Sequence, residues 1–322
     1  MDIFTHILIG VLIGILTLTK LTPEAIIFLW VMSFLPDFDV LLEPIQRIKK
    51  SYFLSHKAAS HSYIIGLLFT GIISIFISLI RNAPFFQVWL AGFFGFSIHV
   101  TLDLFTASKI PIFYPLSQKE FRFIADKAIN PFLAAFSGIN LLVLIVYFYT
   151  YPRYQIFITL AYLYLYIYLT YFGFRAFLRT IVQIKLPKSS QYIPGLIPFY
   201  YFIHEKSEYK DVSTFKLTKK SIFSSKNTEI LNQKISNHSN EMLFYKLALK
   251  VSNEFRFFHK WDAIIPFIRE NEKAIKVVLI LAESYSRMSS HYLSIIFNKK
   301  SLEVISKIDA FGPFKKWENL EF

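Results

Sequence analysis

Residues 62–105 read SYIIGLLFTGIISIFISLIRNAPFFQVWLAGFFGFSIHVTLDLF. Two runs, Ser62–Ile80 and Pro84–Phe105, each come close to the roughly 20 apolar residues that cross a bilayer, with only Arg81, Asn82 and Ala83 between them. The pattern predicts a helical hairpin in a membrane. Its second arm carries His99 and Asp103, and a charged side chain at the middle of a bilayer costs about 2.5–3.5 kcal/mol on insertion scales. The two residues are one helical turn apart and share a face.

Four more apolar segments flank this pair: Ile3–Leu18, Pro23–Leu42, Pro131–Thr150 and Tyr154–Phe177. The first is short for a span. It does not read as a cleaved leader, because Asp2 stands where basic residues belong and no small-x-small site follows. The composition agrees with a membrane protein: 54% hydrophobic residues, only 18% charged, and a mean hydropathy of +0.43. Together these features predict a mainly α, polytopic membrane domain of about six spans over residues 1–188. Cysteine is absent, so disulfides, thiolate metal ligands and cysteine nucleophiles are excluded.

After Lys188 the hydropathy falls and Pro187, Pro194 and Pro198 punctuate the chain, which predicts a boundary or an interfacial re-entry. Residues 189–322 then read as a small C-terminal cytoplasmic α+β domain. Helical spacing covers Glu241–Val251, strand-rich composition covers Ala274–Ser284 and His291–Phe297, and Leu302–Ile308 is expected to be a last short helix.

Net charge is +13, and its placement sets the orientation. The Glu43–His61 connection holds Arg47, Lys49, Lys50 and Lys57, and the Thr106–Asn130 connection holds Lys109, Lys119, Arg122 and Lys127. The alternate connections hold only Lys20, Arg81 and Arg153, one each. The positive-inside bias therefore places both long connections and both termini in the cytoplasm of an integral plasma- or inner-membrane protein. Beside spanning helices the basic balance also suits anionic lipid. No nucleic-acid motif is present, so no nucleic-acid partner is expected.

Within the first 130 residues the histidines are His6, His56, His61 and His99, and the aspartates are Asp2, Asp37, Asp39, Asp103 and Asp126. His6 opens the first segment, with Gly10 and Gly14 following on its face for close helix packing. Asp37 and Asp39 end the second segment, and their carboxylates converge if the chain is extended at that step. His56 and His61 precede the third segment, and Asp126 lies in the second long connection. Each piece alone has an ordinary reading: an interfacial histidine, a solvated Asp-x-Asp turn, a helix-stabilising pair. Their coincidence on one membrane face predicts a shared divalent-metal site, with Zn²⁺ the expected ion. His6, Asp37, Asp39, His56, His61, His99 and Asp103 are the candidate ligands. Seven exceed what one catalytic ion needs, so one ion with a carboxylate base or two bridged ions are both open. Asp39 and Asp126 are the candidate bases. Lys57 and Arg122 are candidates for neutralising an anionic substrate.

The ordered set His6-x-x-x-Gly10, Leu35-Pro36-Asp37-Phe38-Asp39, His56-Lys57-x-x-Ser60-His61-Ser62 and His99-x-x-x-Asp103-Leu104-Phe105-Thr106 resembles the YdjM-type family of inner-membrane metal-dependent hydrolases. Pro115-Leu116-Ser117, Phe121 and Asp126 continue the likeness, which runs from Met1 to about Arg179. The resemblance implies a multi-spanning helical domain and a hydrolase. The family's usual His-Arg pair stands here as His56-Lys57, which keeps the charge without the bidentate fork. The expected activity is hydrolysis by metal-activated water of a lipid or lipid-linked ester, a phosphoester among the candidates. Metal transport or sensing is one alternative, although ligands crowded at one end argue against a through-path. A non-catalytic membrane scaffold is the other.

Overall fold

The structure is a computed structural model that describes residues 1–42, 44–45, 51–52, 56–150, 154–286 and 289–313. Arg47, Lys49, Lys50 and Arg153, four of the charges that set the expected orientation, lie outside the described residues. The chain divides into two compact units, Met1–Phe123 with Ala128–Ala176, and Ile124–Lys127 with Phe177–Phe322.

The first unit is helical. Helix α1 (Ile3–Thr17) starts where the Asp2 carboxylate accepts the Thr5 amide, and α2 (Pro23–Met32) starts at Thr22, with proline in its first turn. Past α2 the chain turns by 47° into a 3-10 segment, Leu35–Leu42. Pro36 brings no amide to the α-helical ladder there, so continuation of α2 is disfavoured. A 3-10 turn, Ala59–His61, leads into α3 (Tyr63–Arg81), which Ser62 caps at one end and left-handed Asn82 closes at the other. Helix α4 (Phe85–Leu104), α5 (Pro131–Thr150) and α6 (Tyr154–Lys185), which from Phe177 on belongs to the second unit, complete the set.

All six expected apolar segments are thus helical, the second with its break. Helices α3 to α6 are long and apolar enough to cross a membrane, α2 with its bent continuation makes a fifth candidate, and α1 has 15 residues. Their outer faces carry large apolar side chains such as Leu79, Ile80, Leu142 and Tyr166, as lipid contact requires. Helix α6 continues past the expected end at Phe177 to Lys185.

Glycines set how closely the inner helices approach. A Cβ on Gly10 would strike the Ser33 side chain, and one on Gly14 the Trp30 ring, so the glycine stripe of α1 does lie against α2 and the turn that ends it. From α4, Gly92 meets the Phe28 ring and Gly95 meets the Leu29 carbonyl oxygen. Helix α2 is therefore held between α1 and α4 at distances that only small residues permit.

The second unit contains two four-stranded antiparallel sheets, β1 (Ser190–Pro194) to β4 (Ser224–Ser236) and β5 (Ile264–Glu270) to β8 (Val304–Pro313), each in sequential order. Helix α7 (Asn240–Ser252) and the short α8 (Arg256–Lys260) connect the sheets. The helix expected at Glu241–Val251 and the strands expected at Ala274–Ser284 and His291–Phe297 are present, as α7, β6 (Ala274–Leu281) and β7 (Ser289–Asn298). One expectation needs correction. Leu302–Ile308 is not a helix but enters β8, because its backbone pairs with β7 from Val304 onward. The Pro-punctuated stretch forms a hairpin, in which Ser190–Pro194 pairs with Tyr201–Glu205. Pro194 ends an edge strand, where its missing amide breaks no ladder. The stretch Ile124–Lys127 joins this unit through the Lys127 ammonium, which donates to the Glu283 and Tyr285 carbonyls at 3.0 and 2.7 Å.

A Gly95→Val substitution places side-chain atoms against the Leu29 backbone, which cannot rotate away. It should destabilise the detergent-solubilised chain by about 1–3 kcal/mol and lower its Tm. Gly173→Ala in α6, where a Cβ meets nothing within 4 Å, should stabilise by up to about 1 kcal/mol. Equal melting temperatures for Gly95→Val and the unaltered chain would refute the close α2–α4 approach.

Candidate metal centre

The start of α1, the 3-10 continuation of α2, the turn before α3 and the end of α4 come together, with His6, Asp37, His61, His99 and Asp103 within 4 Å of one another in several pairs. Each of these four places supplies ionisable side chains. The ligand atoms of Asp37, His61, His99 and Asp103 all lie within 4.8 Å of one another. His61, His99 and Asp103 have no exposed surface, and Asp37 is nearly covered.

The spacing suits an ion. His61 Nε2 stands 3.2 Å from His99 Nε2, 3.1 Å from Asp103 Oδ2 and 3.6 Å from Asp37 Oδ1. His99 Nε2 is 3.6 Å from the same Asp37 oxygen and 3.8 Å from Asp103 Oδ2. Four ligands at about 2.1 Å around a tetrahedral ion are separated by about 3.4 Å. Imidazole and carboxylate are a donor set that Zn²⁺ and its neighbours accept. Asp37 Oδ1 is buried and makes no hydrogen bond among the described residues, a costly state that an ion removes.

The outer nitrogens of both rings have their own partners. His99 Nδ1 is 2.9 Å from the Ser33 carbonyl oxygen, which fixes the proton on Nδ1 and turns the Nε2 lone pair inward. His61 Nδ1 is 3.0 Å from Ser60 Oγ and 3.4 Å from Asp39 Oδ2. Asp39 also accepts the Lys57 amide at 2.9 Å, the Ser60 hydroxyl, and the Nδ1 side of His56. Lys57 reaches it from a left-handed backbone, φ 56°, which is uncommon for a residue with a Cβ.

The Asp37–Asp39 step corrects one expectation. The chain does not extend there; it tightens into a 3-10 turn, and the carboxylates do not converge on one point. They flank His61 instead, Asp37 facing Nε2 and Asp39 facing Nδ1.

The remaining expected residues are placed as follows. His6, fully buried, stacks on the His99 ring with centroids 4.0 Å apart. Its Nε2 is 3.5 Å from Asp103 Oδ1 and 3.8 Å from Asp37 Oδ2. His56 sits beside Asp39 and is not in the converging group of four. The Lys57 ammonium meets Asp103 Oδ2 at 2.7 Å, and the Met1 nitrogen lies against Asp103 Oδ1. Arg122 donates to the Ala107 carbonyl at 2.9 Å. Asp126 belongs to the second unit, where it is buried and accepts the Lys127 amide at 2.8 Å. Sequence reasoning assigned no role to Ser60 or the Ser33 carbonyl. The serine beside His61 was readable as a partner, whereas a backbone carbonyl leaves no mark in a sequence.

Burial by itself would lower the basicity of His61, but its contacts with Asp103, Asp37 and Asp39 outweigh that and raise its pKa to about 10. Burial likewise opposes the Lys57 charge, and Asp103 and Asp37 outweigh it, so its pKa lies above the ordinary value. These two cations offset part of the charge of Asp37, Asp39 and Asp103.

Among protein families, YdjM inner membrane protein matches residues 1–177, the whole stretch that builds this centre, and the chain belongs to that family. No curated protein and no solved structure matches it.

A raised His61 pKa stabilises the ion-free fold below the unfolded value of 6.5, and that contribution is lost as pH rises through about 10. Metal binding has the opposite sign, since the ion must displace the His61 proton. Zinc affinity of the purified chain, read by chelator competition, should therefore rise about tenfold per pH unit between pH 6 and 8. A pH-independent affinity would show that His61 is not a ligand.

Proposed function

We propose that this member of the YdjM family is a membrane-embedded, divalent-metal-dependent hydrolase acting on a lipid or lipid-linked ester, a phosphoester first among them. One observation carries the reading: two imidazole Nε2 atoms and two carboxylates, from three separate places in the sequence, converge in a buried space with the spacing of a single coordination sphere. A scaffold gains little from such a group, because an apolar substitute packs as well without the desolvation cost.

A divalent ion held by Asp37, His61, His99 and Asp103 supplies Lewis acidity, polarising an ester oxygen and acidifying water. The protein's own groups do the rest. The Ser33 carbonyl and the Ser60–Asp39 pair hold His99 and His61 in the tautomers that face inward. Asp39, expected as a base, is already engaged by several donors, so proton transfer falls to the Asp39–His56 pair: Asp39 retains the proton at His56 Nδ1, and Nε2 is the nitrogen that takes or gives one. Lys57 sets positive charge beside Asp103, where an anionic headgroup is drawn. Arg122 and Asp126 receive no step.

The orientation completes the reading. Six crossings with both termini and the centre at the cytoplasmic face agree with four Lys/Arg in each long connection against one in each alternate connection. A centre at headgroup depth favours a substrate whose reactive ester stays at the membrane surface.

Since the chain lacks cysteine, single-cysteine variants report topology directly. Lys20→Cys and Asn82→Cys should react with an impermeant maleimide added to intact cells, and Lys109→Cys and Lys188→Cys only after lysis. The inverse pattern would overturn the orientation.

Purified protein should release product from lipid phosphoesters in a metal-dependent manner that a chelator abolishes. His61→Ala should lower kcat/KM by more than about 100-fold, and Asp39→Ala by about 10–100-fold. Turnover that survives chelation, or none on phosphoesters and carboxyesters alike, would overturn the hydrolase assignment.

A further inference from the structure

The group of four leaves part of each aspartate unused. Asp37 turns Oδ1 toward His61 and His99, at 3.6 Å from both, and Oδ2 toward His6 at 3.8 Å. Asp103 does the same: Oδ2 faces His61 and His99 at 3.1 and 3.8 Å, and Oδ1 faces His6 at 3.5 Å. Two carboxylates that each divide their oxygens between the same two sets of imidazoles have the arrangement of bridging ligands.

His6 supplies an independent observation. It has no exposed surface, and neither ring nitrogen makes a hydrogen bond among the described residues. A buried imidazole without a hydrogen-bond partner is costly, yet Nε2 points between two carboxylate oxygens at distances that ligands of one ion keep. Stacking on His99 at 4.0 Å holds the ring there.

We propose that the centre takes two divalent ions: one at His61, His99, Asp37 Oδ1 and Asp103 Oδ2, and a second at His6, Asp37 Oδ2 and Asp103 Oδ1, with Asp37 and Asp103 bridging. The proposal rests on the metal-dependent hydrolase reading and narrows its substrate. Asp37, Asp39 and Asp103 against Lys57 leave a formal charge of −2 with the histidines neutral. One divalent ion cancels that charge, and a second leaves the centre cationic. A cationic pair suits an ester whose leaving and attacking oxygens both surround a phosphorus, which is the task of two-metal phosphoesterases. A neutral carboxyester has no comparable anion to match it. The Lys57 ammonium lies against Asp103 Oδ2, so a positive group already stands where an ion would compensate the same carboxylate.

The test uses the full chain in detergent, stripped of metal and titrated with Mn²⁺ alone, with bound manganese counted and its paramagnetic resonance recorded. Two ions per chain with an exchange-coupled spectrum are expected. His6→Gln, which keeps a polar side chain of similar reach, should hold one ion and give an isolated-ion spectrum. One ion per chain in both proteins would overturn the second site and leave the first standing. No bound ion in the unaltered chain would remove the hydrolase reading with it. Two ions without coupling would refute the bridging aspartates, and two ions retained in His6→Gln would refute His6 as a ligand. Should His6→Gln not fold, the count and coupling in the unaltered chain decide alone.

Discussion

Asp103 is a carboxylate on the last turn of an apolar helix, with none of its surface in water. A charge withdrawn from solvent in this way is tolerated only where other charges and dipoles replace the water. Much of the first unit can be understood as that replacement. Lys57 brings an ammonium to one oxygen, the rings of His6, His61 and His99 surround the group, and α1, the α2 turn and the loop before α3 are held where they can deliver them.

Delivery demands that the backbones come close, because an imidazole reaches only a few ångströms from its own chain. The glycines meet this demand. Gly10 lies one turn beyond His6 against Ser33, whose carbonyl in turn holds His99. Gly95 lies one turn before His99 and seats α4 on the Leu29 carbonyl of α2. The small residues and the ligands thus alternate along the same helix faces. A larger residue at either glycine acts on the centre without touching it, by moving a ring that must be placed to within a few tenths of an ångström.

Some of this was legible in the sequence because the physics is coarse. Runs of spanning length declare helices, and histidines or aspartates inside such runs declare themselves by their cost. Gly10 and Gly14 could be read as a packing stripe, and they are one. The finer geometry was hidden. Asp37 and Asp39 look equivalent two residues apart, yet a 3-10 turn sends one toward the Nε2 side of His61 and the other to its Nδ1 side, and no residue pattern distinguishes that turn from an extended step. In the second unit, β4 is an edge strand with a largely exposed polar sequence, so neither alternation nor burial marks it. Leu302, Ile305 and Ile308 have helical spacing, but all three are exposed; Leu302 lies in a left-handed turn, β8 pairing with β7 holds Ile305 and Ile308 extended, and the apolar spacing reports no buried face.

The turn at Lys57 joins these scales. Its left-handed backbone costs energy that an ordinary turn would avoid, and the conformation is held by what it allows: the Lys57 amide reaches Asp39 at 2.9 Å while its side chain reaches Asp103 at 2.7 Å. One residue therefore engages both the carboxylate that orients His61 and the carboxylate shared among the imidazoles. The ammonium meets Asp103 Oδ2 as a point charge, without the bidentate fork that arginine would bring. What the site draws on is charge at a point and an amide at a fixed angle, and lysine supplies both. The strain, the missing fork and the pairing of Asp39 with Asp103 through one residue are then aspects of a single requirement, that the loop before α3 close over a buried anionic group and carry His56 and His61 with it.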